Sequence, residues 1–69
     1  MLKTAFTLPD FRRLPTVIQQ TGLSSASIYR LAKSGQFPSP VKIGPRASAW
    51  VGAEVDGYIA SRIAMRNGR

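Results

Sequence analysis

The side chains that most often carry catalysis are nearly absent from this 69-residue chain. It has no Cys and no His, so the strongest side-chain nucleophile and the commonest general acid–base group are both missing. Its acidic side chains are Asp10, Glu54 and Asp56, and the last two would point about 200° apart on a helix, too far to flank one scissile bond. A Ser–Lys pair is compatible with the composition, but so short a chain hardly encloses a substrate pocket. We therefore expect a binding protein and not an enzyme, with no metal and no other cofactor.

Basic side chains dominate the charge. Ten Lys and Arg against three acidic residues give a formal net charge of +7 and a pI near 11.3. Such charge indicates a nucleic acid, an acidic protein or an anionic membrane as partner, and the membrane is disfavoured because Gly and Pro interrupt every amphipathic run. The first seven residues lack the apolar core of a signal peptide, and no stretch approaches about 18 apolar residues. We expect a cytoplasmic, nucleoid-associated protein.

The chemistry that these residue types can supply is the recognition of DNA. Ser24 and Ser25, with the open N–H groups at the start of a helix, suit a phosphate. Arg30 is the candidate for bidentate reading of guanine, the commonest specific base contact. The DNA-binding candidates at this helix are Ser24, Ser25, Ala26, Tyr29, Arg30 and Lys33.

The elements that must position these residues belong to one domain, since the chain is too short for two cores. We assign residues 1–10 to an extended lead-in, 11–66 to the domain and 67–69 to a tail. Asp10 is expected to cap a short turn through Phe11 and Arg12.

Two short helices are predicted next. The first begins at Pro15 and ends at Thr21, where Gly22 supplies a left-handed turn. The second runs from about Ser25 to Ser34 and stops at Gly35. At about 100° per residue, its side chains fall into two arcs. The inner arc is Ser27, Ile28, Leu31 and Ala32, and the outer arc is Ser25, Ala26, Tyr29, Arg30 and Lys33.

A hairpin and a long helix complete the chain. After Pro40 the period changes to two, which predicts a β-hairpin over 41–50 with Arg46 at its tip and Lys42 on its solvent face. The last helix runs from Gly52 to about Arg66, and its start shows no capping residue. The residues assigned to the core of this part are Trp50, Val55, Tyr58, Ile59 and Ile63.

Two short helices joined by a Gly-containing turn form a helix-turn-helix in outline. The first helix must hold the second through apolar inner faces. The second needs an N-terminal end without bulk, so that it enters a major groove about 12 Å wide. Ser24, Ser25 and Ala26 meet that requirement.

The order and spacing of several short motifs over about residues 11–63 resemble the AlpA family of phage and prophage regulators, which is similar to MerR-like winged-helix domains and to phage excisionases. The resemblance implies a mainly α fold with a small β-hairpin, a winged helix-turn-helix of three helices plus a wing. The recognition helix would occupy 25–34 in the major groove. The wing 41–50 would lie on the backbone or minor groove, with Lys42 and Arg46 as its DNA contacts. Gly52 and Gly57 depart from the family, whose last helix is richer in helix formers. The motifs are Leu14-Pro15, Gly22-Leu23-Ser24, Ser27-Ile28-Tyr29-Arg30, Gly35-Gln36-Phe37-Pro38, Pro40-Val41-Lys42-Ile43-Gly44, Arg46, Trp50 and Glu54-Val55.

Three functional interpretations stay open. The leading one is a sequence-specific DNA-binding transcriptional regulator of phage or prophage type, and the second is an excisionase that bends DNA at an attachment site and positions a recombinase. The third, an RNA- or acidic-protein-binding module, predicts exposed strand aromatics for base stacking, whereas the strand aromatic Trp50 is expected to be buried. One recognition helix buries little area, so we expect two protomers, as a homodimer or assembled on double-stranded DNA. A recombinase or RNA polymerase is the expected protein partner.

Overall fold

The computed structural model describes residues 9–67, so residues 1–8 of the predicted lead-in and 68–69 of the predicted tail lie outside the described residues. Within the described range the chain forms three helices and a three-stranded sheet. In chain order the elements are β1 Phe11–Arg12, α1 Leu14–Thr21, α2 Ser25–Lys33, β2 Val41–Gly44, β3 Ala47–Val51 and α3 Gly52–Asn67.

Both short helices agree with their sequence signals to within a residue. Helix α1 begins one residue before Pro15, which lies in its first turn, where a missing N–H costs nothing. Gly22 ends it at φ 76°, and its N–H donates to the Ile18 carbonyl over 2.8 Å. Helix α2 begins after Ser24, whose Oγ accepts from the Ser27 N–H over 3.1 Å, and it ends one residue before the predicted Ser34.

The sheet contains a strand that the sequence analysis did not predict. Strand order is β1-β3-β2 and both pairings are antiparallel, with Phe11 opposite Val51 and Arg12 opposite Trp50. The predicted turn through Phe11 and Arg12, capped by Asp10, is therefore wrong. A two-residue strand has no period to detect, and its pairing with β3 satisfies backbone groups from the distant end of the domain.

The hairpin forms as predicted but its first strand is exposed on both sides. The register shifts between Lys42 and Gly44, which marks a bulge, and Val41 and Ile43 are 38% and 41% exposed. Strand β2 lies at the edge of the sheet, and its apolar side chains are not part of the core.

The core is small and centres on Trp50. Its buried members are Val17, Ile28, Phe37, Trp50 and Val55. The Trp50 indole N–H donates to the Pro38 carbonyl over 2.9 Å, so the one polar atom of that ring is satisfied.

The predicted core residues of α3 are only partly confirmed. Val55 is buried, and Tyr58 and Ile59 are half-buried against the core. Ile63 is 48% exposed, and its assignment to the core was wrong, because the residues of this part of α3 that face Leu23 and Leu31 are Ser61, Arg62 and Met65. The apolar period in the sequence continues for longer than the core does.

The arrangement is a winged helix-turn-helix. Helix α1 packs against α2 through Val17 and Ile28, the Gly22 turn connects them, and the β2–β3 hairpin follows as the wing. The fold class expected from the sequence is confirmed, with β1 as an addition to the wing sheet.

Candidate nucleic-acid interface

The outer arc predicted for α2 is its solvent-facing side. The inner residues Ile28, Leu31 and Ala32 are buried or half-buried, so the core fixes which face of the helix points outward. The exposed residues on that outward face are Ser25, Ala26, Tyr29, Arg30 and Lys33.

Ser24 and Ser25, both expected near a phosphate, differ in their local role. The Ser24 Oγ caps α2 by accepting from the Ser27 N–H and donates its own proton toward the Ser27 Oγ over 3.1 Å. Ser25 is exposed at the first position of the helix. Ser24 therefore organises the helix end, whereas Ser25 presents its hydroxyl to solvent.

Arg30 bonds to a neutral side chain. Its Nη2 donates to the Ser27 Oγ over 3.3 Å, one helical turn back. Ser27 belongs to the inner arc by angle, and the sequence analysis gave it no role. It is half-buried at the border between the two arcs, which is why its hydroxyl reaches an outward-facing guanidinium.

Tyr29 lies where α2 meets the sheet. Its ring centroid is 5.7 Å from that of Trp50, with the planes 60° apart, and the residue is still 47% exposed. Because Trp50 is fully buried, this contact fixes α2 relative to β3. Tyr29 therefore belongs to the outward face and also joins that face to the wing.

The wing carries the other two predicted contact residues. Lys42 lies in β2 opposite Ser48, and Arg46 lies in the turn between β2 and β3. Both are exposed, and within residues 9–67 neither makes an ion pair or a side-chain hydrogen bond to α2. Helix α2 and the wing are thus brought together by Tyr29 and Trp50 and not by their basic residues.

Arg12 gathers two of the three acidic side chains. Its Nη1 donates to Asp56 Oδ1 over 2.7 Å, its Nη2 to Asp56 Oδ2 over 3.2 Å, and its Nε to Asp10 Oδ2 over 2.9 Å. Its Nη1 also lies 3.1 Å from Gln20 Oε1. These hydrogen bonds from Arg12 hold the pKa of the Asp56 carboxyl below its usual range. Arg12 and Asp56 are 44 residues apart, and no local pattern indicates such a pair.

The arrangement leaves the outward face of α2 and the wing with uncompensated positive charge. Two of the acids are held by Arg12, and the third, Glu54, is exposed in the first turn of α3. Within residues 9–67, Lys33, Lys42 and Arg46 have no carboxylate partner. A strongly basic surface of this kind attracts a polyanion and not a small neutral ligand.

Among residues 9–67 no cluster of three or more His, Cys, Asp or Glu side chains could hold a metal ion. No helix in that range has both the length and the apolar character needed to span a bilayer.

The fold and its basic outward face define a winged helix-turn-helix protein. The family model described as prophage CP4-57 regulatory protein (AlpA) matches residues 10–63. The chain is 42% identical over 64 residues to an uncharacterized protein, ORF88, of Enterobacteria phage P4, covering 86% of this chain and 73% of that protein. It is 34% identical over 56 residues to the DNA-binding transcriptional activator AlpA of Escherichia coli (strain K12), covering 72% of this chain and 80% of that protein. The chain belongs to the AlpA family, which confirms the resemblance carried by the sequence motifs.

Proposed function

We propose that this protein is a sequence-specific, double-stranded DNA-binding transcriptional regulator of phage or prophage type. Helix α2 enters the major groove, and the β2–β3 wing lies along the backbone or minor groove. The protein acts by binding and not by catalysis, in the cytoplasm at the nucleoid. The E. coli relative, named as a DNA-binding transcriptional activator, supports this assignment.

The observation that carries the proposal is the outward face of α2. Its N-terminal end presents only Ser25 and Ala26, so the backbone can approach base edges closely. One turn further on, Arg30 and Lys33 are exposed with no carboxylate beside them among the described residues. Arg30 reads a guanine in this assignment, and Ser25 and Lys33 contact phosphates.

The wing supplies the second part of the interface. Lys42 and Arg46 are exposed on the hairpin that β3 connects to the core through Trp50. Contacts from the wing to phosphates add affinity that does not depend on sequence.

Two protomers on adjacent or inverted half-sites give the area that one small domain cannot bury alone. The protomers associate as a homodimer or only on the DNA. RNA polymerase is the protein partner expected for a regulator, and a recombinase the one expected for an excisionase.

The RNA-binding alternative gains one exposed aromatic that the sequence analysis did not count. Phe11 is a strand residue and is 57% exposed, whereas Trp50 is buried as expected. A single ring on a two-residue edge strand is a poor platform, since stacking modules present two or three aromatics on one sheet.

The decisive experiment captures binding sites from the host genome and then footprints the best site at two salt concentrations. A salt-sensitive footprint beside a promoter is the expected result. Clustered, phased sites inside a recombination attachment region would instead identify an excisionase. A protein that protects no DNA at either concentration would rule out the proposal, and RNA and acidic proteins would be the next partners to test.

A further inference from the structure

Three side chains form a hydrogen-bonded row along one edge of α2, each three residues after the last. The Ser24 Oγ accepts from the Ser27 N–H over 3.1 Å and lies 3.1 Å from the Ser27 Oγ, to which it donates. The Arg30 Nη2 then donates to the same Ser27 Oγ over 3.3 Å. The row connects an exposed guanidinium to the capped end of the helix.

The Ser27 hydroxyl is the acceptor at the centre of this row. A hydroxyl has two acceptor lone pairs, and those of Ser27 receive the Ser24 O–H and an Arg30 N–H. The N-cap bond fixes the Ser24 side chain, because its oxygen accepts from a backbone N–H in the first turn of the helix. The Ser24 hydroxyl in turn holds the Ser27 Oγ, so Ser27 offers Arg30 an acceptor oriented by the helix cap.

The neutrality of that acceptor matters as much as its position. A carboxylate at position 27 would orient Arg30 but would also cancel its charge and compete with DNA for the same N–H groups. The acidic side chains of residues 9–67 lie elsewhere, two on Arg12 and one at the start of α3. Arg30 is thus oriented while its charge is retained.

We propose that Ser27 is a positioning residue that sets the guanidinium of Arg30 for base reading, and that it acts through Arg30 and not by touching DNA. This inference rests on the DNA-binding function proposed above. A long Arg side chain loses considerable rotamer freedom when it is fixed, and a preset orientation reduces the part of that loss that binding must supply.

The test compares Ser27→Ala, Ser27→Thr, Arg30→Ala and the double variant Ser27→Ala/Arg30→Ala. Each is titrated against a duplex carrying the best footprinted site and against a duplex of equal length with that site scrambled. Ser61→Ala in α3 is the matched control, because it removes an exposed helical hydroxyl that bonds only to the Tyr58 carbonyl. Thermal melting of each variant reports its folding. Ser27→Ala is expected to fold as well as the parent, since Ala favours helix and the Ser24 cap bond to the residue-27 N–H remains.

We expect Ser27→Ala to bind the specific duplex about three- to tenfold more weakly and the scrambled duplex within about twofold of the parent, the size of one hydrogen bond. Ser27→Thr retains most of the specificity, and Ser27→Ala has no further effect when Arg30 is already Ala. An equal loss on both duplexes would make Ser27 merely structural, and a loss that persists without Arg30 would make it a direct DNA contact. Unchanged binding by Ser27→Ala would also overturn the inference. If the parent protein binds neither duplex, the proposed function itself has failed, and this is seen before any variant is compared.

Discussion

Arg30 is the residue on which recognition of the DNA sequence is expected to depend most. It is exposed on the outward face of α2, its bond to Ser27 is to a neutral oxygen, and no described carboxylate is paired with it. A guanidinium in this state keeps its full charge and can form two parallel hydrogen bonds to one guanine.

Arg30→Ala should weaken the best site by about 1–3 kcal/mol and relax base preference at one position of that site. Competition binding against a panel of single-base variants measures both effects. Arg62→Ala is the charge-matched control, because it removes a cation from the exposed part of α3 without altering α2. An Arg30→Ala variant that loses the same affinity for every sequence would contradict the recognition role.

At the scale of elements, Asp10, near the other end of the domain, contacts the first residue of α3. The Gly52 N–H donates to the Asp10 carbonyl over 2.8 Å, and the Asp10 carboxylate lies directly over the first residue of the helix. A Cβ at position 52 would lie 2.6 Å from Asp10 Cγ, closer than such atoms can approach. An Ala at position 52, where Gly departs from the family's helix-rich composition, would therefore displace the Asp10 carboxylate, which also accepts from Arg12.

Gly52→Ala should therefore destabilise the protein, by up to about 1 kcal/mol, although Ala is the better helix former, because the Asp10 carboxylate must move and its ion pair with Arg12 is disturbed. Gly57→Ala, also in α3, meets nothing within 4 Å and should instead stabilise it by about 0.5–1 kcal/mol. Urea unfolding of both variants measures the two signs. If both substitutions stabilise, Asp10 does not restrict the helix start.

The wing should contribute affinity without sequence preference. Lys42→Ala and Arg46→Ala are each expected to weaken specific and scrambled duplexes equally. Each should also lower the slope of log affinity against log salt by about one unit for every phosphate that the variant no longer neutralises. Titrations at several salt concentrations give this slope. A wing variant that changes base preference while leaving the slope intact would place a base contact on the hairpin.

The elements that sequence analysis could predict are those with local signals. Pro15 and Gly22 mark the two ends of α1, Ser24 caps α2, and the change to a period of two marks the hairpin. Strand β1 and the Asp10 contact to α3 depend on partners about forty residues away, and nothing near Asp10 indicates them.

The candidate site was predictable to the same extent. The helical period alone separates the outward residues of α2 from the buried ones. The position of Ser27 beside Arg30 follows from side-chain direction at the border between the two arcs, which an angular assignment by residue type does not resolve.

At the scale of the whole molecule, Arg12 connects three elements by side-chain hydrogen bonds. From β1 it reaches Gln20 at the end of α1 and Asp56 in α3, and its side chain is only 19% exposed. For a domain this small, such a connection adds to what the buried core contributes.

The ion pair between Arg12 and Asp56 should make the stability of the protein fall in acid. Since folding lowers the pKa of Asp56, its contribution to stability is present above the carboxyl's ordinary pKa and is lost as the pH falls through the lowered value. Asp56→Asn should lower the free energy of unfolding near neutral pH. It should also make that free energy fall less steeply as the pH is lowered. Unfolding followed from pH 7 to about pH 2 tests this.

Arg12→Met supplies the control for that experiment, because it keeps the buried aliphatic stem and removes the charge. In an Arg12→Met background, Asp56→Asn should have almost no further effect on the loss of stability below neutral pH. If Asp56→Asn still has its full effect on acid stability in the Arg12→Met background, the acid sensitivity does not come from this ion pair.

Strand β1 also sets the order in which the domain can be completed. Its partner residues in β3 follow it by about forty residues, whereas α1 and α2 contact each other across the three-residue Gly22 turn and the two wing strands are adjacent in the chain. During synthesis from the N-terminus, Phe11 and Arg12 leave the ribosome early and wait for Trp50 and Val51. Among the strands of residues 9–67, the first to be synthesised is therefore the last to be paired, and the sheet closes only after β3 has emerged.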